Sequence, residues 1–216
     1  MDQAQMPRIG DKAPDFEANT THGPLRFSDW AKDHWVILFS HPADFTPVCT
    51  TELTEFARNK EWFAARKTKL MGESIDSIHS HMAWVHNVRE KTGVYMDFPI
   101  IADIDMKVAR LYGMLHENTS NTAAVRAVFF IDPRGFIRLI MYYPLNVGRN
   151  MDEIKRVLEA LQAADANACA MPVNWRPGDK VIVPPPKTLA ELDARLADDR
   201  LELLDFYLAK RELNPA

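Results

Sequence analysis

Cysteine is scarce in this sequence: Cys49 and Cys169 are the only two among 216 residues. They lie 120 positions apart, so they provide neither a disulfide scaffold nor the ligand spacing of a zinc site. Such low cysteine use is typical of a reducing compartment, and we expect a cytoplasmic location. The scarcity makes the purpose of each thiol the first question to ask of the chain.

Basic blocks and long apolar runs are also missing. The formal net charge is −4 at pH 7, which argues against a nucleic-acid partner, because such binding depends on neutralising phosphates. No apolar run approaches about 18 residues, so we predict no membrane span. Residues 1–16 are polar and contain no apolar stretch of the kind that a secretory signal needs. With 47% hydrophobic and 26% charged residues, the composition is that of a globular protein with a buried core.

Apolar runs alternate with helical patterns along the first three quarters of the chain. The pattern predicts strands at 35–39, 70–75, 98–102, 127–131 and 136–142, and helices at 48–66, 77–90, 106–112 and 151–164. Asp132-Pro133-Arg134-Gly135 joins the last two strands as a hairpin turn. This order predicts an α/β fold with a mixed central sheet flanked by helices, and it suggests a thioredoxin-like arrangement.

A shift in composition near residue 166 predicts a domain boundary. Five of the fourteen prolines lie between 167 and 187, and proline favours an extended chain. Thr188-x-x-Glu191 is a capping box, which predicts a C-terminal helix with a leucine stripe. We therefore expect a domain at 1–166 and a C-terminal arm and helix at 167–216. The stripe packs either on a neighbouring subunit or on its own domain.

Cys49 follows a predicted strand and stands in the first turn of a predicted helix. A helix N-terminus presents unpaired N–H groups and a partial positive charge, and both favour a thiolate. The alternative is a small buried hydrophobe, which is what most free cysteines are. Position alone leaves these two interpretations open.

The residues around Cys49 carry a resemblance to a known family. Pro42-x-x-x-Thr46-x-x-Cys49 lies within the segment SHPADFTPVCTTEL, which resembles the active-site signature of the one-Cys, peroxiredoxin-6-like class of peroxiredoxins. Further similarity is carried by Arg126, by Gly148-Arg149-Asn150 and by the segment 171–179, and it extends from about Ile9 to the end. The resemblance implies a thioredoxin-like fold. It also implies a thiol-dependent peroxidase that reduces hydrogen peroxide and small alkyl hydroperoxides with no metal, flavin or haem cofactor.

This resemblance implies a catalytic role for four residues. The Cys49 thiolate attacks the peroxide and becomes a sulfenic acid, and Arg126 is the cation that stabilises the thiolate and the leaving oxygen. The Thr46 hydroxyl aligns the peroxide, and the Pro42 ring shields the sulfur from water. Taken from the residues alone, Thr46 is equally a helix cap and Arg126 an ordinary ion-pair partner.

Four further positions have supporting roles in this interpretation. The backbone N–H groups of Val48 and Cys49 complete the cradle for the peroxide oxygens. His41 tunes access to the sulfur or its charge, Glu52 orients Arg126, and Arg149 adds a second positive charge.

The resemblance also implies partners. One-Cys members lack a resolving cysteine, so we expect an external thiol reductant and a non-catalytic Cys169, with a Cys49–Cys169 disulfide as the alternative. We expect a homodimer with the 167–216 arm exchanged, and a decamer is the second possibility.

Other signals are weaker. His79, His81 and His86 share a predicted helix, which we interpret as a solvated face with no metal ligand. Lys32–Val36 has His34 where a lipase would need serine, so no lipase activity is predicted. The rival functions are an oligomeric holdase and a thiol–disulfide oxidoreductase, and the latter normally needs a Cys-x-x-Cys pair.

Overall fold

A seven-stranded mixed sheet forms the centre of the N-terminal part of the chain in the computed structural model, which describes residues 6–120 and 122–213. The strand order is β2-β1-β5-β4-β3-β6-β7. The strands are β1 (Glu17–Thr20), β2 (Gly23–Arg26), β3 (Trp35–Ser40), β4 (Thr68–Ser74), β5 (Ile100–Ala102), β6 (Arg126–Ile131) and β7 (Ile137–Tyr143). β3, β4 and β5 pair in parallel, and β6 and β7 extend the sheet antiparallel. The predicted mixed α/β sheet is confirmed.

The central strands are buried because the sheet is covered on both faces. All six residues of β3 and all six of β6 are buried, as their continuous apolar runs predict. The hairpin of β1 and β2 was not predicted, because its strands have four residues each and are largely exposed. Such short segments carry little hydrophobic periodicity.

Five helices accompany this sheet: α1 (Phe27–Ala31), α2 (Pro47–Arg58), α3 (Lys60–Ala64), α4 (Ile78–Thr92) and α5 (Lys107–Leu111). The prediction of one helix over 48–66 is wrong, because the chain breaks at Asn59 between α2 and α3. The Asn59 side-chain amide donates to the backbone oxygen and the carboxylate of Glu55, at 2.9 Å each. This local bonding competes with helix continuation.

The C-terminal part contains a small antiparallel sheet of order β8-β10-β9. Its elements are α6 (Met151–Asn167), β8 (Val181–Val183), α7 (Leu189–Leu196), β9 (Glu202–Asp205) and β10 (Leu208–Arg211). The predicted cap of α7 is confirmed, because the Thr188 hydroxyl accepts from the Glu191 backbone N–H. The three strands were not predicted.

The contacts within the chain define two compact units, Met1–Arg149 and Asn150–Ala216. The second unit begins at the cap of α6, where the Asn150 side chain accepts from the Glu153 N–H. The boundary at 166 stays a prediction. Among the described residues, no helix is long and apolar enough to cross a membrane.

Candidate active site

Cys49 is held in the first turn of α2, directly beyond the end of the central strand β3. Thr46 occupies the N-cap position, and Pro47, whose fixed φ suits a first helical residue, follows it. Cys49 is the third helical residue and its side chain is fully buried. The strand therefore fixes where the chain turns, and the helix start fixes where the sulfur points.

Arg126 reaches the sulfur from the neighbouring strand. It begins β6, which pairs with β3, and its side chain is 3% exposed. Its Nη1 lies 3.3 Å from the Cys49 Sγ. Its Nε and Nη2 donate to the backbone oxygen of Leu145, at 3.0 and 2.6 Å. The guanidinium is thus fixed on one side by a carbonyl while it presents a charged donor to the thiol.

Glu52 lies one turn after Cys49 and joins two arginines. Its Oε2 accepts from Arg126 Nη1 at 2.6 Å and from Arg149 Nη2 at 2.8 Å. Its Oε1 accepts from the Arg149 backbone N and Nε, both at 2.8 Å. Burial raises the pKa of Glu52, but the charges and hydrogen bonds of Arg149 and Arg126 bring it below the usual value. Glu52 is therefore an anion that binds both Arg126 and Arg149.

Arg149 lies against Glu52 rather than in hydrogen-bond contact with the sulfur. Its Nη1 donates to the backbone oxygens of Ser40 and Ala127, at 2.8 and 3.0 Å. Its guanidinium also lies 5.4 Å from the Phe39 ring centroid, within the range of a cation–π contact. Burial lowers the pKa of Arg149, while Glu52 raises it. Its positive charge therefore interacts more strongly with the Glu52 carboxylate than with the Cys49 sulfur.

The loop before α2 and the first turn of α2 contain the remaining predicted residues. The Thr46 hydroxyl donates to the Ala43 carbonyl at 2.9 Å, so it does not make the side-chain cap that the sequence allows. Pro42 and Val48 are half-buried. A Cβ added to Gly148 would lie 3.4 Å from the Val48 side chain. The chain before Arg149 therefore packs closely on the start of α2.

His41 belongs to a buried cluster with Asp44 and His81. The Nε2 of His41 lies 2.8 Å from Asp44 Oδ1, and the Nδ1 of His81 lies 2.8 Å from Asp44 Oδ2. The solvated-face interpretation is correct for His79 and His86, which are exposed, but it is wrong for His81, which is fully buried. His81 lies on the inner side of α4, where it reaches the loop before α2.

This cluster contains the atoms best placed to hold a metal ion among the described residues. One potential ligand atom from each of His41, Asp44 and His81 lies within 4.8 Å of the others. Each histidine lies at hydrogen-bond distance from Asp44, whereas the centroids of the two imidazole rings lie 6.0 Å apart.

Sequence reasoning missed Asp44, His81 and the Leu145 carbonyl. Asp44 lies three residues after His41, a spacing that could have indicated the pair. His81 was in view but had no signal that assigned it to the interior. The Leu145 contact uses a backbone oxygen, so no residue type could predict it.

Cys169 follows α6 in the C-terminal unit and is partly exposed. Burial raises the pKa of its thiol, which disfavours the reactive thiolate. Its Sγ lies 4.0 Å from the Ala163 backbone oxygen. The charge of Arg211 lowers the pKa of this thiol, but burial outweighs that effect.

Known protein families match both the N-terminal and the C-terminal part of the chain. The sequence profile of the AhpC/TSA family matches residues 9–140, and that of the C-terminal domain of 1-Cys peroxiredoxin matches residues 160–197. A peroxiredoxin of Aquifex aeolicus is 48% identical over 99% of this chain and 100% of its own length. Peroxiredoxin 2 of Caldanaerobacter subterraneus is 50% identical over 96% of this chain and 94% of its own length.

Two solved structures show the same similarity in three dimensions. The yeast mitochondrial 1-Cys peroxiredoxin matches with a TM-score of 0.86 and 41% identity, over 96% of this chain and 100% of that one. A cysteine-to-serine mutant of the peroxiredoxin 6 of Arenicola marina matches with a TM-score of 0.88 and 35% identity, over 97% and 99%.

Proposed function

The chain belongs to the AhpC/TSA family and is a 1-Cys peroxiredoxin, a thiol-dependent peroxidase, and from this premise we propose that Cys49 is the thiol that reduces the peroxide. The observation that carries this assignment is the contact of 3.3 Å between Arg126 Nη1 and Cys49 Sγ. A fixed guanidinium and a helix N-terminus both stabilise an anionic sulfur. Antioxidant defence is the role of this activity.

The reaction follows from the placement of Arg126. The Cys49 thiolate forms a bond to one peroxide oxygen as the O–O bond breaks, and the other oxygen leaves as hydroxide or alkoxide and takes a proton from solvent to become water or an alcohol. Sulfur loses two electrons and becomes a sulfenic acid, while the peroxide gains them. Arg126 stabilises the charge that develops on the leaving oxygen, because Glu52 and the Leu145 carbonyl orient its guanidinium before the reaction begins.

Thr46, Pro42 and Val48 complete the substrate site in this proposal. The Thr46 hydroxyl donates a hydrogen bond to the Ala43 carbonyl. Its oxygen can therefore accept a hydrogen bond from the O–H of a hydroperoxide. Pro42 has no N–H to offer to water and shields the sulfur. The N–H groups of Val48 and Cys49 receive the peroxide oxygens.

Glu52 and Arg149 act one step away from the sulfur. Arg149 donates to both Glu52 oxygens, which fixes the carboxylate that holds Arg126. We assign both as positioning residues, with no metal or organic cofactor in the cycle.

The sulfenic acid is reduced by an external thiol in this proposal. The raised pKa of Cys169 supports a non-resolving role for that residue. In the yeast relative the thiol resolving mechanism runs via glutathione/thioredoxin systems, and we propose a reductant of that class here. Two reductant thiols then yield their disulfide, free Cys49 and one water.

We propose a cytoplasmic homodimer, with a decamer as the alternative assembly. Both cysteines are unpaired, which suits a reducing compartment. Large apolar side chains of the C-terminal unit are exposed in the single chain, among them Leu189 at 80% and Leu204 at 75%. We propose that these side chains belong to an interaction surface, where large apolar groups are found exposed in a single chain.

Stopped-flow fluorescence tests the assignment of Cys49. We expect the reduced wild type and Cys169→Ser to react with hydrogen peroxide far faster than a free thiol, and Cys49→Ser not to react. A wild-type rate equal to that of a free thiol contradicts the proposal, and so does an unchanged rate in Cys49→Ser.

A further inference from the structure

Asp44 lies in the loop between β3 and α2 and is bonded to a histidine on each side. Its two carboxylate oxygens each lie 2.8 Å from a ring nitrogen, one of His41 and one of His81. All three side chains are at most 1% exposed. The backbone N–H of Asp44 also donates to Asp76 Oδ2 at 3.0 Å. The loop is therefore anchored through both the side chain and the backbone of Asp44.

His81 faces a hydrogen-bond acceptor on each side of its ring. His81 Nε2 lies 3.0 Å from the backbone oxygen of Ile101, which can only accept. Although burial raises it, the hydrogen bonds from His41 and His81 bring the pKa of Asp44 down to about 2. An ionised Asp44 also only accepts, so each ring nitrogen of His81 lies against an acceptor.

Asp44 also fixes the tautomer of His41. Its Nε2 donates to Asp44, and burial lowers the pKa of the ring, so that its other nitrogen carries no proton. This Nδ1 is buried and has no hydrogen-bond partner among the described residues. Asp44 therefore bridges two buried histidines.

The loop that Asp44 anchors is strained. Phe45, between Asp44 and Thr46, has a φ of +54° although it is not glycine, and its side chain is 57% exposed. A bulky residue in the left-handed region is unfavourable and persists only where its surroundings impose it. The residue before Phe45, Asp44, is bonded to the two histidines. The residue after it, Thr46, donates to the Ala43 carbonyl.

We propose that His81, acting through Asp44, is a positioning residue for the peroxide reaction: it holds Phe45 in its left-handed conformation and so places Thr46 and the start of α2. The proposal rests on the assignment of Cys49 as the reacting thiol. When the His81–Asp44 contact is lost, Phe45 relaxes to negative φ and Thr46 moves away from the sulfur.

The test compares peroxide oxidation rates of reduced variants by stopped flow. We expect His81→Leu to react roughly tenfold more slowly, the population ratio that a left-handed non-glycine residue costs. His79→Leu is the matched control on the same helix, because His79 is exposed, and its rate should equal that of the wild type. His81→Asn, whose amide nitrogen can replace the Nδ1 donor, should recover part of the rate.

A second substitution, which relieves the strain at Phe45, distinguishes a positioning role of His81 from a general loss of stability. Adding Phe45→Gly to His81→Leu should restore part of the rate without restoring the melting temperature, because glycine adopts positive φ at no steric cost. A double variant as slow as His81→Leu contradicts the proposal. If His81→Leu does not fold, His81→Asn decides, since we expect it to be a few-fold slower than the wild type and an unchanged rate overturns the role.

Two further measurements test the proton arrangement. Two-bond ¹H–¹⁵N spectra of the reduced protein at pH 7 should show a proton on Nδ1 of His81 and on Nε2 of His41, the two nitrogens that face Asp44, and an unprotonated Nδ1 of His81 overturns the account. Binding of one zinc ion per chain by the wild type but not by His81→Leu would also overturn the account. A metal ion would then occupy the place of the proton between His81 and Asp44. A fast wild type with a full-rate His81→Leu rejects this inference alone, whereas a slow wild type rejects the role of Cys49.

Discussion

Arg126 is the residue on which the site depends most, because one nitrogen of its guanidinium serves two partners. Nη1 contacts both the Cys49 sulfur and the Glu52 carboxylate. The other donors are committed to the Leu145 carbonyl. A point charge on a flexible stem cannot reproduce this fork, so lysine is not a conservative replacement here.

Arg126→Lys should therefore slow the oxidation of Cys49 by peroxide about 10²-fold, the scale of losing one oriented donor at a developing charge. The rate is measured by stopped flow under pseudo-first-order conditions. Arg134→Lys is the control, because the Arg134 side chain is 72% exposed. A rate within twofold of the wild type in Arg126→Lys contradicts the role of the fork.

Glu73, at the end of β4, makes the free energy of unfolding depend on pH, independently of the site around Cys49. Burial raises the pKa of this fully buried carboxyl well above its usual value, and the nearby Asp103 and Asp76 raise it further. Both of its oxygens are buried without a partner among the described side chains. The native state therefore keeps a proton that the unfolded chain releases above about pH 4.5.

The free energy of unfolding should accordingly be highest, for this residue, below pH 4.5. It should then fall by up to about 1.4 kcal/mol per pH unit as the pH rises toward the native pKa. Glu73→Gln removes this slope, so the variant gains stability over the wild type between pH 5 and pH 8 in urea titrations. The exposed Glu117→Gln serves as the control. Parallel pH profiles for the wild type and Glu73→Gln would contradict a protonated Glu73.

At the scale of elements, α4 matters because it delivers buried side chains to the loop before α2. His81 and Trp84 lie on its inner side, and the Trp84 indole N–H donates to Thr50 Oγ1 at 3.3 Å. The helix begins where the Ser77 hydroxyl accepts from the Ser80 backbone N–H. It ends at Gly93, which adopts a left-handed φ of 73°.

Removing the cap of α4 by Ser77→Ala should cost about 1 kcal/mol of unfolding free energy. Ser80→Ala is a matched control, because Ser80 contributes its backbone N–H to the cap and keeps it after substitution. Urea denaturation followed by circular dichroism measures both. Equal stability of the two variants would show that the cap contributes nothing.

The sequence predicted elements well where their pattern was long and apolar. The strands at 35–39 and 127–131 and the helix after Ser77 were found because burial on both faces or a clear cap marks them. The break at Asn59 was missed, since it depends on a side chain bonding back to Glu55. The β9–β10 strands were missed because each has only four residues and shows no alternation of buried and exposed positions.

The active site was predictable to a different extent. Residues within the motif around Cys49 came from local spacing and resemblance, and the structure brings Arg126, Glu52 and Arg149 together beside it. The burial of His81 depends on how α4 packs against the loop, a contact between positions 37 apart. Such tertiary placement leaves no local pattern in the sequence.

At the scale of the whole molecule, the C-terminal unit carries the apolar surface that the proposed dimer needs. Leu189 and Leu196 of α7 are 80% and 54% exposed, and Phe206 and Tyr207 are 41% and 56% exposed. Burying such side chains is worth roughly 1.5–3 kcal/mol each. A second copy of the chain would cover this surface.

Leu189→Glu combined with Leu196→Glu should therefore shift the protein from a dimer toward a monomer. Size-exclusion chromatography with light scattering reads the mass directly. Glu159→Gln, also in the C-terminal unit, is the control for a change of charge. A double variant with the mass of the wild type contradicts the interface on α7, and a wild-type mass of ten chains supports the decamer instead.

The central claim is that one thiol performs the oxidation and that no second cysteine of the chain resolves it. Mass spectrometry after one equivalent of hydrogen peroxide, with a sulfenic-acid trap present, tests this most directly. We predict the trapped adduct, or a sulfinic acid, on Cys49 and an unmodified Cys169. A disulfide between Cys49 and Cys169, or oxidation of Cys169 alone, would contradict the account.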